Sequence, residues 1–103
     1  MENLNHESEE ELEETFKVLS NPNRLKILCM LSECEENEAT VGDIAEKINI
    51  TQPAASQHLK LLKSLKVVKS TKRGNNIYYK INTNKISQDK KCIDTLFKMM
   101  LNE

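Results

Sequence analysis

Residues 51–65, Thr-Gln-Pro-Ala-Ala-Ser-Gln-His-Leu-Lys-Leu-Leu-Lys-Ser-Leu, hold the side chains whose types and spacing invite a chemical role. Gln52, Ser56, Gln57 and His58 are polar, short or medium in length, and fall in the opening turns of one predicted helix. Such side chains read base edges by hydrogen bonding, as glutamine does with adenine. A surface helix that is merely polar carries the same pattern. The helix itself is well specified. Thr51 is a good N-cap, and Pro53 fits the first turn, where its missing N–H costs nothing. Leu59, Leu62 and Leu65 recur at helical spacing and form an apolar stripe. No nucleophile–base pair and no metal centre stands out in the chain, which argues against an enzyme.

Charge decides what surrounds this helix. The formal net charge of the 103 residues is −1, but the total hides a split. Residues 1–50 carry 13 acidic and 4 basic side chains, residues 51–103 carry 3 acidic and 11 basic. Between 51 and 85 there are 8 Lys or Arg and no Asp or Glu. A one-sided basic patch is the electrostatic footprint of a polyanion partner. A winged module used only for protein contacts has no need of it. Three cysteines, an odd number, do not suggest a disulfide scaffold. No apolar run approaches the roughly 18 residues of a membrane span. The opening Met-Glu-Asn-Leu-Asn-His-Glu lacks the basic-then-apolar pattern of a signal peptide. The expectation is one soluble, cytoplasmic domain with no membrane partner and no cofactor.

The elements that position the helix follow from periodicity. Residues 1–11 are polar and acidic and read as a partly disordered tail. Leu12, Phe16 and Leu19 predict a first helix over about 8–19, and Ser20-Asn21-Pro22-Asn23 breaks it. A second helix spans 22–33, with Ile27-Leu28-Cys29-Met30-Leu31 apolar on every side and so expected in the core. Residues 34–39 form an acidic loop. Thr40 caps a third helix, with Asp43 in the capping-box position and Val41, Ile44, Ala45 and Ile48 on its buried face. Asn49 suits a left-handed turn. Ala45 and Ala55 are the small residues where the third and fourth helices meet, giving a helix-turn-helix. Val67–Lys72, the turn cluster Arg73-Gly74-Asn75-Asn76 and the alternating Ile77–Ile81 then predict a β-hairpin with a basic tip. A last helix covers about 85–101, with Ile86, Ile93, Leu96, Phe97, Met100 and Leu101 on one face. The fold class is therefore mainly α with a small β-hairpin, a winged helix-turn-helix in the order α-α-α-α-β-β-α. The winged core needs only residues 22–81. The apolar residues Leu12, Phe16, Leu19, Ile93, Leu96, Phe97 and Met100 of the terminal helices are expected to pair across a two-fold axis, the commonest oligomer symmetry. Folding of both helices onto their own core is the other outcome.

Three segments resemble the ArsR/SmtB-type repressors: Val18–Leu28, Ile50–Leu62 and the wing Lys72-Arg73-Gly74-Asn75-Asn76-Ile77-Tyr78-Tyr79. The resemblance is close over about 12–81. It implies a homodimeric repressor bound to double-stranded DNA at an inverted repeat and released by a small inducer. It places Gln52, Ser56, Gln57 and His58 in the major groove, Thr51 and Lys60 on phosphate, and Lys72, Arg73 and Asn75 on the wing. The sensor sites that such proteins commonly use are not filled by metal ligands. Thr40-Val41-Gly42 stands where a Cys-x-Cys is usual, and Thr83, Lys85, Leu96 and Met99 stand at the last-helix positions. Neither set suits Zn²⁺. Cys29 matches the first of two reactive cysteines in thiol-based relatives, whereas Lys98 stands near the second, and Cys92 lies about a turn and a half earlier. Cys29 among Leu28, Met30 and Leu31 is most simply a small core residue. A three-thiol site of Cys29, Cys34 and Cys92 requires helices two and five to bring them together. A thiol-reactive oxidant or sulfur species, or a thiophilic metalloid, is thus expected as inducer ahead of Zn, Ni or Cd. The alternative is a winged-helix module that is constitutive or controlled by a protein partner.

Overall fold

Each of the five α-helices among the described residues begins at an Asn or Thr whose side-chain oxygen accepts an otherwise unpaired N–H. In the computed structural model, which describes residues 4–103, Asn5 opens α1 (His6–Leu19), accepting from the Ser8 N–H at 2.8 Å. Asn21 opens α2 (Pro22–Glu33), taking the Asn23 and Arg24 N–H groups at 2.9 and 3.2 Å. Thr40 and Asp43 form the expected capping box of α3 (Val41–Ile48), which ends at Asn49 in left-handed backbone with φ 60°. Thr51 accepts from the Ala54 N–H at 3.3 Å and opens α4 (Gln52–Ser64). Asn82 opens α5 (Thr83–Leu101). The acidic stretch expected as a tail over 1–11 is helical from His6 on, and residues 1–3 lie outside the described ones. Beyond α4, Lys66 takes a left-handed backbone with φ 64°. The Lys66 and Val67 N–H groups close the helix on the Lys63 and Leu62 carbonyls, each at 2.9 Å.

The sheet has one strand more than the sequence reading. β2 (Val68–Arg73) and β3 (Asn76–Ile81) form the expected hairpin, with Gly74 at the first turn position and φ 62°, as a type II′ turn requires. β1 (Glu38–Thr40), read as the end of a loop, adds to the other edge of β3 in antiparallel register, so the order is β1-β3-β2. Its pairs are Glu38 with Lys80, Ala39 with Tyr79 and Thr40 with Tyr78. Between α2 and β1, Glu36 and Asn37 turn the chain in left-handed backbone, with φ 59° and 57°.

One buried cluster joins α2, α3, α4 and the sheet: Ile27, Leu31, Ala39, Ile44, Ala45, Ala55, Leu59, Leu62, Val67 and Val68, with Val18 from α1. Full burial of each larger side chain contributes about 1.5–3 kcal/mol. Ala45 and Ala55 are both buried, as the α3–α4 approach demands. The five-residue apolar run in α2 is covered on one side only. Ile27 and Leu31 are fully buried, but Cys29 is exposed.

The terminal helices meet through polar groups. Thr15 and Asp89 are both buried, and the Thr15 hydroxyl donates to Asp89 Oδ2 at 3.2 Å. Lys85 Nζ reaches Asp89 Oδ1 at 3.1 Å and Glu11 Oε2 at 3.5 Å. Burial alone would lower the Lys85 pKa; Asp89 and Glu11 together overcome it and hold the ammonium above its ordinary value. Phe16, Phe97, Met99, Met100 and Leu101 are exposed.

Candidate nucleic-acid interface

α4 divides cleanly into two faces. Ala55, Leu59 and Leu62 are buried, whereas Gln52, Ser56, Gln57 and Lys60 are exposed on the opposite side. Pattern and placement agree: the i, i+4, i+7 apolar residues fix which way the helix lies, and the polar residues of its first two turns are left to solvent. Thr51 is exposed as well. Its oxygen is taken by the Ala54 N–H, which leaves its own O–H free to donate.

His58 sits on the inner flank of this face and is half-buried. Arg24 Nε donates to His58 Nδ1 at 3.4 Å, and Arg24 Nη1 donates to the Val18 carbonyl at 3.4 Å. Burial, then the neighbouring Arg24 charge, pushes the imidazole pKa below its ordinary value. His58 is thus neutral near pH 7, with its proton on Nε2 because Nδ1 is an acceptor. It ties α4 to α2 through Arg24, a residue the sequence reading did not single out. Its presence in Asn21-Pro22-Asn23-Arg24 was the available signal.

The wing projects Lys72, Arg73 and Asn75, all exposed. Lys72 has no ion-pair partner among the described residues. Arg73 does: Nη1 donates to Glu38 Oε2 at 3.3 Å, and Nη2 donates to Glu38 Oε1. Its guanidinium also lies over the Tyr78 ring, 4.1 Å from the centroid. The bond to Glu38 raises the already high pKa of Arg73. Glu38 was not a candidate in the sequence, where it is one acid of an acidic loop.

The three cysteines are free. Cys29 is exposed on α2, not a core residue. Cys34 is half-buried, its Sγ donating to the Leu31 and Glu38 carbonyls at 3.5 and 3.3 Å. Cys92 is half-buried on α5. They are not gathered within the chain, and no group of three or more His, Cys, Asp or Glu among the described residues is placed to hold a metal ion. Of the residues expected at a dimer interface, Phe16, Phe97 and Met100 are exposed, Leu19, Ile93 and Leu96 half-buried, and Leu12 is covered by its own chain at 4 % exposure. An apolar groove of about 660 Å³ runs between α1 and α5, lined by Leu4, Leu12, Phe16, Leu96 and Met99. No helix among the described residues is long and apolar enough to cross a membrane.

A helix-turn-helix followed by a three-stranded sheet with its hairpin wing, the second helix's polar face open, is the architecture of a winged-helix DNA-binding regulator. Residues 21–70 match the description "Bacterial regulatory protein, arsR family". The chain is 44 % identical over 68 residues to the transcriptional repressor SdpR of Bacillus subtilis, covering 66 % of this chain and 72 % of SdpR. The chain belongs to the ArsR family. It is also 32 % identical over 71 residues to the transcriptional activator HlyU of Vibrio cholerae and 40 % identical over 73 residues to a cadmium resistance regulatory protein CadC homologue of Staphylococcus aureus. These matches take in 69 and 71 % of this chain but only 63 and 59 % of those two proteins. The structure of reduced HlyU superposes with a TM-score of 0.67 at 28 % identity, covering 81 % of this chain and 86 % of that one.

Proposed function

We propose that the chain is a homodimeric transcriptional repressor that binds an inverted-repeat operator and leaves it on reaction with a thiol-directed signal. One observation carries the DNA reading. The open face of α4, with Gln52, Ser56, Gln57 and Lys60, stands beside a hairpin bearing Lys72 within a stretch free of acids. Gln52, Ser56 and Gln57 read base edges from the major groove, and Thr51, Lys60 and Lys72 hold phosphate, with Asn75 at the wing tip. His58 supports this face from its flank and offers its Nε2–H. The apolar faces of α1 and α5 receive a second copy, which sets two α4 helices about 34 Å apart, one turn of the duplex. The repressor SdpR supports the direction of control.

The thiol reading is supported by the exposure of Cys29, while no group of three or more His, Cys, Asp or Glu among the described residues is placed to hold a metal ion. An oxidant, a sulfur species or a thiophilic metalloid fits an accessible thiol better than Zn, Ni or Cd does.

Selection of operator sequences from random duplexes, followed by anisotropy titrations, tests the reading. Gln52→Ala is expected to lose about 1–3 kcal/mol of discrimination at its base position. Lys72→Ala is expected to weaken all sequences alike and to flatten the log–log salt slope by about 0.9. Binding by both variants that matches the wild type would sink the reading. Titrating the complex with arsenite, persulfide, peroxide and Zn²⁺, on wild type and on Cys29→Ser, Cys34→Ser and Cys92→Ser, identifies the signal. Release by none of them makes the repressor constitutive or partner-controlled.

A further inference from the structure

The outer face of the sheet carries an arrangement that DNA binding alone does not call for. Side chains alternate across a strand, so Glu38 on β1, Tyr78 on β3 and Arg73 on β2 point to the same side. Lys80 is directly opposite Glu38 in the register, yet the carboxylate is paired with Arg73, which lies at the far end of β2 beside the turn. To reach it, Arg73 lies back across the Tyr78 ring. The Glu38 side chain is only 15 % exposed, so little water competes for its oxygens, whereas Arg73 is 52 % exposed. Both terminal nitrogens of the guanidinium are used, one on each carboxylate oxygen.

This two-pronged geometry is also how a guanidinium grips a phosphate. A carboxylate and a phosphate therefore compete for the same fork. No residue between 51 and 85 is acidic, so the acid on the wing comes from the first half of the chain, carried there by β1. We propose that Glu38 is an affinity-setting residue of the DNA interface, holding Arg73 on the sheet and withholding one wing cation from the phosphate backbone. The proposal rests on the DNA-binding reading above. Its consequence is that the wing grips through Lys72, while Arg73, its charge already balanced by Glu38, stays off the phosphate and releases few counterions. Non-specific affinity is thereby kept below what the eight cations of residues 51–85 would give.

The test is a set of full-length chains: wild type, Glu38→Gln, Glu38→Ala, Arg73→Ala and Glu38→Gln/Arg73→Ala. Each is titrated against a random-sequence duplex and the selected operator between about 50 and 200 mM KCl, the range over which phosphate contacts dominate the salt response. Glu38→Gln and Glu38→Ala are expected to tighten random-duplex binding by about tenfold at the lowest salt and to steepen the log–log slope by about 0.9. Arg73→Ala alone is expected to change little, and in the double variant the gain is expected to vanish. The slope does not depend on the fraction of active protein, so it decides the matter even where a variant is less stable. If the wild type binds and the Glu38 variants keep its slope, Glu38 only braces the sheet and the proposal falls by itself. If the wild type binds no duplex at any salt, the DNA-binding reading falls and takes the proposal with it.

Discussion

The winged core and the pair of terminal helices are held together by opposite means. From α2 to β3 the elements share one continuous apolar cluster, with Ile27, Leu31, Ile44, Leu59, Leu62 and Val67 fully buried. The buried residue of α5 is an aspartate, and α1 meets it with a threonine. Around that bond Lys85 and Glu11 complete a polar knot, while Phe97, Met99, Met100 and Leu101 stay in water. The core therefore gains its stability inside the protomer. The terminal helices gain register from their contact, because a buried charged group tolerates few alternative pairings, while Phe16 of α1 and the last turns of α5 stay exposed although Leu12 and Val18 of α1 are buried. The second copy we propose is the occupant that such a face fits.

Substitutions on the two sides should separate these roles. Leu62→Ala in the core is expected to cost about 2–5 kcal/mol, read as a lower denaturant midpoint with unchanged slope. A cost below about 1 kcal/mol would mean that the shared cluster is not what holds the wing to the helices. Asp89→Asn keeps the shape of the knot but leaves Lys85 with Glu11 alone, and is expected to cost about 1–3 kcal/mol. No change on denaturation would show the knot to be dispensable. Phe97→Asp, at an exposed position, is expected to alter the stability of the protomer by about 0.5 kcal/mol or less, yet to convert a dimer to a monomer in sedimentation. A variant that still sediments as the wild type does would remove this face from the interface.

The parts legible in the sequence are those that depend on local pattern. The period of Leu59, Leu62 and Leu65, the caps at Thr40 and Thr51, Asn49 in the turn and Gly74 in the hairpin each act within a few residues, and each appears where expected. What escaped depends on distance. β1 is three residues long with only Ala39 buried, too short to show alternation, and its partner strand lies far along the chain. The Glu38–Arg73 pair needs that strand to exist first. Cys29 misled for a different reason. Ile27 and Leu31 one turn apart define the covered line of α2, and a residue two positions from Ile27 falls on the opposite side, whatever its apolar neighbours. His58 was legible as a polar residue of α4 but not as the partner of Arg24, which α2 brings to it.

At Lys66 the demands of folding and of charge part company. The residue closes α4 in a left-handed backbone, a conformation glycine adopts freely and a residue with a side chain occupies at a cost of about 1 kcal/mol. Glycine there would make a more stable protein. Lysine instead puts an exposed cation at the helix C-terminus, where the helix dipole favours it, and within the acid-free stretch. The chain forgoes a small increment of stability at this corner and gains in return a positive charge set against the free carbonyls that end the helix.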